Sequence, residues 1–153
     1  MSYSNSITGV DITKYGAIAN NSADCTSAFA TATTHATVDP SGKIYLPAGT
    51  YLLSQTQTIT ANLHFAPGAT LHVVDGYSVT ITGFIEAEDY QIIFNVDTGA
   101  NIYPWGNPYI SACWYGAIQA PAQSPPYSTA FIQQALNSST TNYAGVKIGR
   151  AHV

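Results

Sequence analysis

The stretch GKIYLPAGTYLLSQTQTITANLHFAPGATLHVVDGYSVTI, residues 42–81, contains the pattern that decides the fold. Short segments in which apolar and polar residues alternate follow one another, and Gly, Pro, Asn or Asp fills most of the gaps. Together with the residues downstream, the pattern predicts nine strands: Lys43–Leu46, Thr50–Leu53, Thr56–Ile59, Leu63–Phe65, Thr70–Val74, Ser78–Ile81, Phe84–Ile85, Gln91–Val96 and Asn101–Tyr103.

Successive predicted strands begin at most ten residues apart, so no helix fits between them. Two topologies are compatible with such spacing: an antiparallel sandwich or barrel, and a parallel β-solenoid. Composition slightly favours the sandwich. Hairpin signals are nearly absent, with Asp75-Gly76 as the exception, and their absence favours the solenoid.

The residues upstream of this stretch predict a strand and a helix. Val10–Ile12 alternates like a short strand, and Asn20–Ser22 is a turn-rich link. A helix is expected from Asp24 to about His35, capped by Ser22 or Asp24, with one apolar face formed by Ala28, Phe29 and Ala32. Residues 1–9 are polar and are expected to be disordered.

An internal repeat divides the chain. Tyr15-Gly16-Ala17-Ile18 returns unchanged at residues 115–118, and each copy is followed by a polar stretch and a short helical pattern. We therefore expect an N-terminal strand and capping helix at 10–41, a first set of strands at 42–109, and an incomplete second unit at 110–147. In that unit Ser128 is expected to cap a helix with the apolar positions Ala130, Phe131, Ala135 and Leu136.

The last six residues, 148–153, fit no element of either unit. One codon choice for them resembles a common sequencing adapter, so we interpret this segment as an adapter artefact and expect the natural chain to continue. Arg150 and His152 are accordingly excluded from the chemistry.

Composition excludes several classes of function. Only 8% of the residues are Asp, Glu, Lys or Arg, against about a quarter in typical globular proteins, and 18 residues are Thr. The net charge is −4 with four basic residues, which disfavours nucleic acid as a partner. No apolar run approaches the length of a membrane helix, and the first 30 residues contain no signal peptide. A polar, nearly uncharged surface suits neutral polyhydroxy ligands and also stacked strands.

Several motifs in order resemble the N-terminal region of the pectate-lyase-like right-handed parallel β-helix proteins, a superfamily of phage tailspikes, polysaccharide lyases, glycosidases and surface proteins. The residues that carry the resemblance are Val10–Ala17, Asp24–Thr26, Gly42–Tyr51, Asn62–Leu71, Gly83–Ala87 and Tyr90–Ile92. The family usually has a Gly-Asp-Gly turn and paired Asp residues before the helix. This chain instead has Ala19-Asn20-Asn21 and keeps Asp24 alone.

The resemblance implies an all-β fold with short capping helices, namely the first coils of a right-handed parallel β-helix. It further implies a carbohydrate-binding or carbohydrate-cleaving surface protein, such as a tailspike-like depolymerase, whose active residues lie outside this fragment. A polysaccharide or cell-surface glycan would be its partner, a homotrimer its assembly, and the extracellular space or virion surface its location. A non-catalytic structural or adhesive fibre is the alternative, and an unrelated antiparallel sandwich lectin is a third hypothesis.

Candidate catalytic residues are few. Glu86, Glu88 and Asp89 form the sole acidic cluster, and Glu86 and Glu88 could share a strand face; we interpret the cluster as a solvated edge or turn. His64 and His72 could stack on adjacent coils, although ordinary imidazoles are the expectation. We predict no catalytic or metal site and no cofactor, we leave the substrate-binding residues unassigned, and we expect the fragment to be inactive.

The aromatic residues concentrate between Tyr103 and Tyr115. Trp114 and Tyr115 are interpreted as packing at the repeat junction, and packing is also the expectation for Trp105 and Tyr109, although such rings can stack on sugars. The two cysteines, at positions 25 and 113, have no metal or redox spacing and are expected to be free, partly buried thiols.

Overall fold

A computed structural model describes residues 9–117, 126–139 and 145–147. The predicted disordered N-terminus and the suspected adapter segment lie outside these ranges, except that Gly9 is described and is buried. Ile118, the last residue of the second Tyr-Gly-Ala-Ile copy, also lies outside them.

Strands outweigh helices among the described residues, which also form two α-helices and two short 3-10 turns. The helices are α1 (Thr26–Ala36) and α2 (Pro126–Ser139), and the 3-10 turns are Ile12–Tyr15 and Ala112–Tyr115. The strands are β1 (Val10–Asp11), β2 (Asn20–Asp24), β3 (Lys43–Leu46), β4 (Gly49–Leu53), β5 (Gln57–Ile59), β6 (Asn62–Phe65), β7 (Ala69–Val73), β8 (Ser78–Ile81), β9 (Ile85–Glu86), β10 (Phe94–Val96), β11 (Asn101–Pro104), β12 (Tyr109–Ser111) and β13 (Gly145–Lys147).

All strand pairs among the described residues are parallel. The sheets have the orders β1-β3-β6-β9, β10-β7-β4-β2, β11-β8-β5 and β12-β13. From β3 to β11, each strand pairs with the third strand after it, so the chain visits three sheets in turn. Ile44, for example, faces Leu63, and Leu63 faces Ile85. The antiparallel alternative, and with it the sandwich lectin, is therefore wrong.

The core consists of inward-facing residues that lie above one another in successive strands. One stack contains Ile44, Leu63 and Ile85, and another contains Tyr51 and Leu71, with Phe94 following in β10. All of these side chains are almost completely buried, and burial of each contributes roughly 1.5–3 kcal/mol. Because parallel pairing repeats the register from strand to strand, one alternating pattern defines both the core and the outer face.

Helix α1 covers the first strands of these stacks. Ala28, Phe29 and Ala32 are buried, as predicted, and the Phe29 ring meets the edge of the Tyr51 ring at a centroid distance of 6.3 Å. The helix begins at Thr26, two residues later than expected. Its start is fixed by Asp24, whose carboxylate accepts hydrogen bonds from the Thr26 amide and hydroxyl at 3.1 and 2.6 Å.

Asp24 also connects the helix to the strands. It accepts a third hydrogen bond from the Ser54 amide at 3.2 Å, in the link between β4 and β5. Burial alone would raise the pKa of Asp24, but the hydrogen bonds from Thr26 and Ser54 outweigh it and lower the pKa below its ordinary value. Of the two predicted caps, Ser22 does not contribute, because it lies within β2.

The segment Asn20–Asp24 is an edge strand and not the turn-rich link that the sequence predicted. It pairs with β4, with a register shift between Asn20 and Asp24, and Asn21 adopts a left-handed φ of +55°. The strand is almost entirely polar and exposed. An irregular polar edge of this kind resists pairing with a further strand.

The two Tyr-Gly-Ala copies have the same local geometry. In each copy a side chain at the start of the 3-10 turn, Asp11 or Ser111, accepts a hydrogen bond from the amide two residues later. Gly16 and Gly116 then end the turn in the left-handed conformation, with φ of +98° and +106°. A helix follows, and then a strand that pairs with the strand before the turn: β3 with β1, and β13 with β12. The boundary at residue 110 stays a prediction.

The details of α2 differ from expectation. The helix begins at Pro126, so Ser128 lies inside its first turn and is not its cap. Ala135 is buried and Phe131 is partly buried, as predicted, but Ala130 and Leu136 are exposed. The sequence pattern identified an apolar stripe, whereas the packing of the helix against its neighbours uses only part of it.

Candidate functional site

A row of polar side chains crosses the outer face of the sheet β1-β3-β6-β9. The register aligns Asp11 with Tyr45, Tyr45 with His64, and His64 with Glu86. The residue before each of these points inward and is buried, so alternation places the row outside. Within the row, the rings of Tyr45 and His64 meet edge to face at 5.4 Å.

Glu86 forms the charged end of this row. Lys43 Nζ donates to both carboxylate oxygens, at 2.9 and 3.0 Å, although Lys43 lies two strands away in β3. The Glu86 side chain is 44% exposed, and an ion pair at such a site contributes at most about 1 kcal/mol to stability. We conclude that the pair orients the carboxylate more than it stabilises the fold.

His64 lies beside the same carboxylate. Its Nδ1 is 3.8 Å from Glu86 Oε2, which is too long for a hydrogen bond, and this buried nitrogen has no hydrogen-bond partner. The contact becomes an attraction between charges only when the ring is protonated. Lys43 is thus the direct partner of Glu86, and His64 is a second polar group beside the same carboxylate.

A cleft of about 420 Å³ opens next to these residues. We call it the Glu86 cleft and define it by His64, Phe84, Glu86, Glu88 and Gln91, which all line it. Phe84 leaves 48% of its surface exposed there. The Gln91 side chain donates to the Ala66 carbonyl at 2.6 Å, and this bond ties the loop after β9 to the core. The cleft therefore combines a half-exposed ring with carboxylates, an amide and an imidazole.

Two of the three residues in the predicted acidic cluster line the Glu86 cleft, and the third does not. Glu86 and Glu88 line the same cleft, but they do not share a strand face, because β9 ends at Glu86. Asp89 does not line the cleft; its carbonyl accepts a hydrogen bond from Ser111 Oγ at 2.7 Å. Within the described residues, no three His, Cys, Asp or Glu come together in a group that could hold a metal ion.

His72 lies in a different sheet from His64, so the possible stacking of the two rings on adjacent coils does not occur. Among the strands β3 to β11, equivalent positions in one sheet are 19 to 23 residues apart, whereas eight residues separate the two histidines. His72 Nε2 is 2.8 Å from Asp97 Oδ1, and its Nδ1 is 2.6 Å from Asn21 Oδ1. The hydrogen bond from His72 lowers the pKa of Asp97, against a smaller opposing contribution from burial.

The aromatic residues between Tyr103 and Tyr115 fall into a buried pair and an exposed pair. Trp114 and Tyr115 are buried, and both rings meet that of Phe94, which confirms the predicted packing at the repeat junction. Trp105 and Tyr109 are 38% and 67% exposed, so the expectation that they pack in the core is wrong. Trp105 follows the buried Pro104, and Tyr109 precedes the buried Ile110, so both lie on the outer surface.

Sequence reasoning missed one residue that positions the site. The buried side chain of Asn107 accepts from the Ile85 amide at 2.9 Å and donates to the Ile85 carbonyl at 3.2 Å. The side chain therefore makes the hydrogen bonds to the Ile85 backbone that a neighbouring strand would otherwise make at the edge of β9, directly beside Glu86. The sequence Gly106-Asn107-Pro108 signals a turn, but it does not reveal that the amide points inward.

Cys25 and Cys113 are both free, as predicted, and they are more completely buried than expected. Neither described helix has the length and hydrophobicity needed to cross a membrane. No protein-family model matches the chain, and no curated protein or solved structure is detectably similar to it.

Proposed function

We propose that this chain forms the first coils of a right-handed parallel β-helix in a glycan-binding surface protein. Support for the β-helix comes from the parallel pairing of each strand with the third strand after it. Right-handedness follows from the strong preference of parallel crossover connections for that hand. The motif resemblance to the pectate-lyase-like superfamily favours the same architecture.

The Glu86 cleft carries the glycan-binding part of the proposal. A sugar ring presents C–H bonds on its faces and hydroxyl groups around its edge. The half-exposed Phe84 ring offers a surface for the C–H face, and Glu86, Glu88 and Gln91 offer acceptors and donors for the hydroxyls. The single decisive observation is the register that aligns His64 with Glu86 beside Phe84.

We assign binding, and not cleavage, to the described residues. Glycoside hydrolysis usually requires a carboxylic acid and a second carboxylate on opposite sides of the bond. Glu86 is already paired with Lys43, and Glu88 lines the same cleft only two residues further along the chain. In the proposal, residues outside this fragment perform any cleavage, and the tailspike-like assembly, a homotrimer on a virion or cell surface, is carried over from the resemblance alone.

Glycan microarrays followed by calorimetry test the assignment. We expect binding to neutral polysaccharide, with affinity reduced at least about tenfold by Phe84→Ala and by Glu86→Gln, which corresponds to about 1.4 kcal/mol. Tyr77→Ala is the matched control, because Tyr77 is an exposed aromatic residue that does not line the cleft. Equal losses from Phe84→Ala and Tyr77→Ala, or no glycan binding at all, would contradict the proposal; self-association without glycan binding would favour the structural fibre.

A further inference from the structure

We propose that a second groove, between α2 and the turn 97–101, binds a single uncharged sugar residue. The groove encloses about 400 Å³, within the range of small-molecule sites. It shares no lining residue with the Glu86 cleft, so the inference does not depend on the proposed function of that cleft.

The floor of the groove is apolar and fixed. Ile102 and Tyr115 are buried beneath it, and the Tyr115 hydroxyl donates to the Ile102 carbonyl at 3.2 Å. Burial raises the pKa of Tyr115 well above its ordinary value, so the hydroxyl stays protonated and the hydrogen bond persists across the physiological range. The floor is therefore rigid, and Val96 and Ala130, which line the groove and are partly or fully exposed, offer apolar contacts to the C–H groups of a ligand.

The walls carry neutral amide and hydroxyl groups. Gln133 and Gln134 lie on α2, Thr98 lies on the facing turn, and Asn101 begins β11 directly after it. Gln133 donates to Asn137 Oδ1 at 2.8 Å, which orients one amide along the rim. Each amide offers both donors and acceptors, and a hydroxyl group does the same. A ligand with several neighbouring hydroxyls matches these walls.

One charged side chain, Asp97, lies among the described residues that line the groove. Its Oδ1 is 2.8 Å from His72 Nε2, and its Oδ2 accepts from the Asp75 amide at 3.3 Å. The carboxylate is therefore held in place as an acceptor for ligand hydroxyls. The described lining contains no Lys or Arg, so a phosphate or a sugar acid would meet a fixed negative charge without a compensating cation. This selects neutral sugars.

Saturation-transfer NMR on the full chain tests the proposal, with neutral hexoses, neutral oligosaccharides and glucuronate as probes. We expect transfer to the neutral sugars and little to glucuronate. Binding to the free hexoses identifies a monosaccharide ligand, and binding confined to oligosaccharides identifies the end of a glycan chain; both results support the proposal.

Variants locate the ligand. Gln133→Ala, at an exposed position of α2, and Asp97→Asn should each weaken binding at least about tenfold. Asn95→Ala is the control, because Asn95 is an exposed amide on β10 that does not line the groove. Thermal melting verifies that each variant is folded. Asp97→Asn could lower stability by removing the contact with His72, and in that case the binding measured for Gln133→Ala tests the site.

Three results would overturn the inference: neutral sugars that give no transfer, affinity that is unchanged in both groove variants, or equal binding of glucuronate. If Phe84→Ala alone abolished binding, the ligand would lie in the Glu86 cleft. That result would contradict the second site and leave the proposed function of the Glu86 cleft unaffected. If the groove variants lost sugar binding and Phe84→Ala left it unchanged, the ligand would lie in the second groove. That result would support the second site and contradict glycan binding at the Glu86 cleft.

Discussion

At the scale of single residues, glycine controls the corner between the sheets β11-β8-β5 and β1-β3-β6-β9. A Cβ atom on Gly83 would lie 2.0 Å from the Ala61 carbonyl oxygen, and one on Gly106 would lie 2.1 Å from the Gly83 carbonyl oxygen. Successive turns of the chain thus stack with their backbones in direct contact. No side chain fits between them, whatever its conformation.

We expect Gly83→Ala to destabilise the protein by about 3 kcal/mol, because the clash is with backbone that cannot move aside. Gly76→Ala is the matched control. Nothing lies within 4 Å of its added Cβ, and only its φ of +86° is unfavourable, at a cost of about 1–2 kcal/mol. Urea titration of both variants measures the difference, and a Gly83 variant as stable as the Gly76 variant would refute the close contact.

The residue-scale predictions from sequence failed where a side chain's direction depends on the register. Trp105 and Tyr109 have the large aromatic side chains typical of core residues, yet both lie on the outer surface. His64 and His72 are close in sequence, yet consecutive strands enter different sheets. Asn107 is polar in a turn, yet its amide replaces a strand edge. Each outcome depends on a partner about 20 residues away, which local patterns cannot identify.

At the scale of elements, the strands were predictable because each has inward apolar residues in alternation. The nine predicted strands all exist, and their ends agree within one residue except for the start of β10, which lies at Phe94 and not at Gln91. β2 was missed because Asn20–Asp24 has no such residues and is held by hydrogen bonds, both with β4 and between Asn21 and His72. Among the cleft residues, the acidic pair was found from sequence, and its neighbours His64 and Phe84 required the sheet register.

Helix α1 provides an element-scale prediction. We expect Phe29→Asp to expose the first strands of the stack and cause aggregation, because Phe29 is completely buried against Tyr51. Ala30→Asp introduces the same charge on the exposed side of the same helix and should leave the protein soluble. Size-exclusion chromatography with thermal melting separates the two; a Phe29→Asp variant that stays monomeric with unchanged melting would show that the helix does not protect this end.

At the scale of the whole molecule, the two Tyr-Gly-Ala copies have the same local geometry but different neighbours. Lys14 is exposed in the first copy, whereas the equivalent Trp114 is buried. The Trp114 carbonyl accepts from the Ile93 amide at 3.0 Å, and its indole donates to the Glu88 carbonyl at 3.2 Å. In the first copy this position faces solvent. In the second copy the equivalent side chain packs against the residues that precede the repeat.

We expect Trp114→Ala to destabilise the protein by about 3–5 kcal/mol, because it empties the contact between the second copy and Phe94. Lys14→Ala, at the equivalent position of the first copy, should change the free energy of unfolding by less than about 0.5 kcal/mol. Denaturant unfolding of the pair measures the contrast. Similar losses in both would mean that the two copies have equivalent surroundings in solution.

The pairing of each strand with the third strand after it has a consequence for biosynthesis. Each new layer is deposited on a surface made only of residues that the ribosome has already released, so spatial order and synthesis order coincide. The protein can therefore consolidate progressively as it emerges, without waiting for distant downstream partners. A stalled nascent chain whose residues up to 81 have all left the ribosomal exit tunnel should already be protease-resistant.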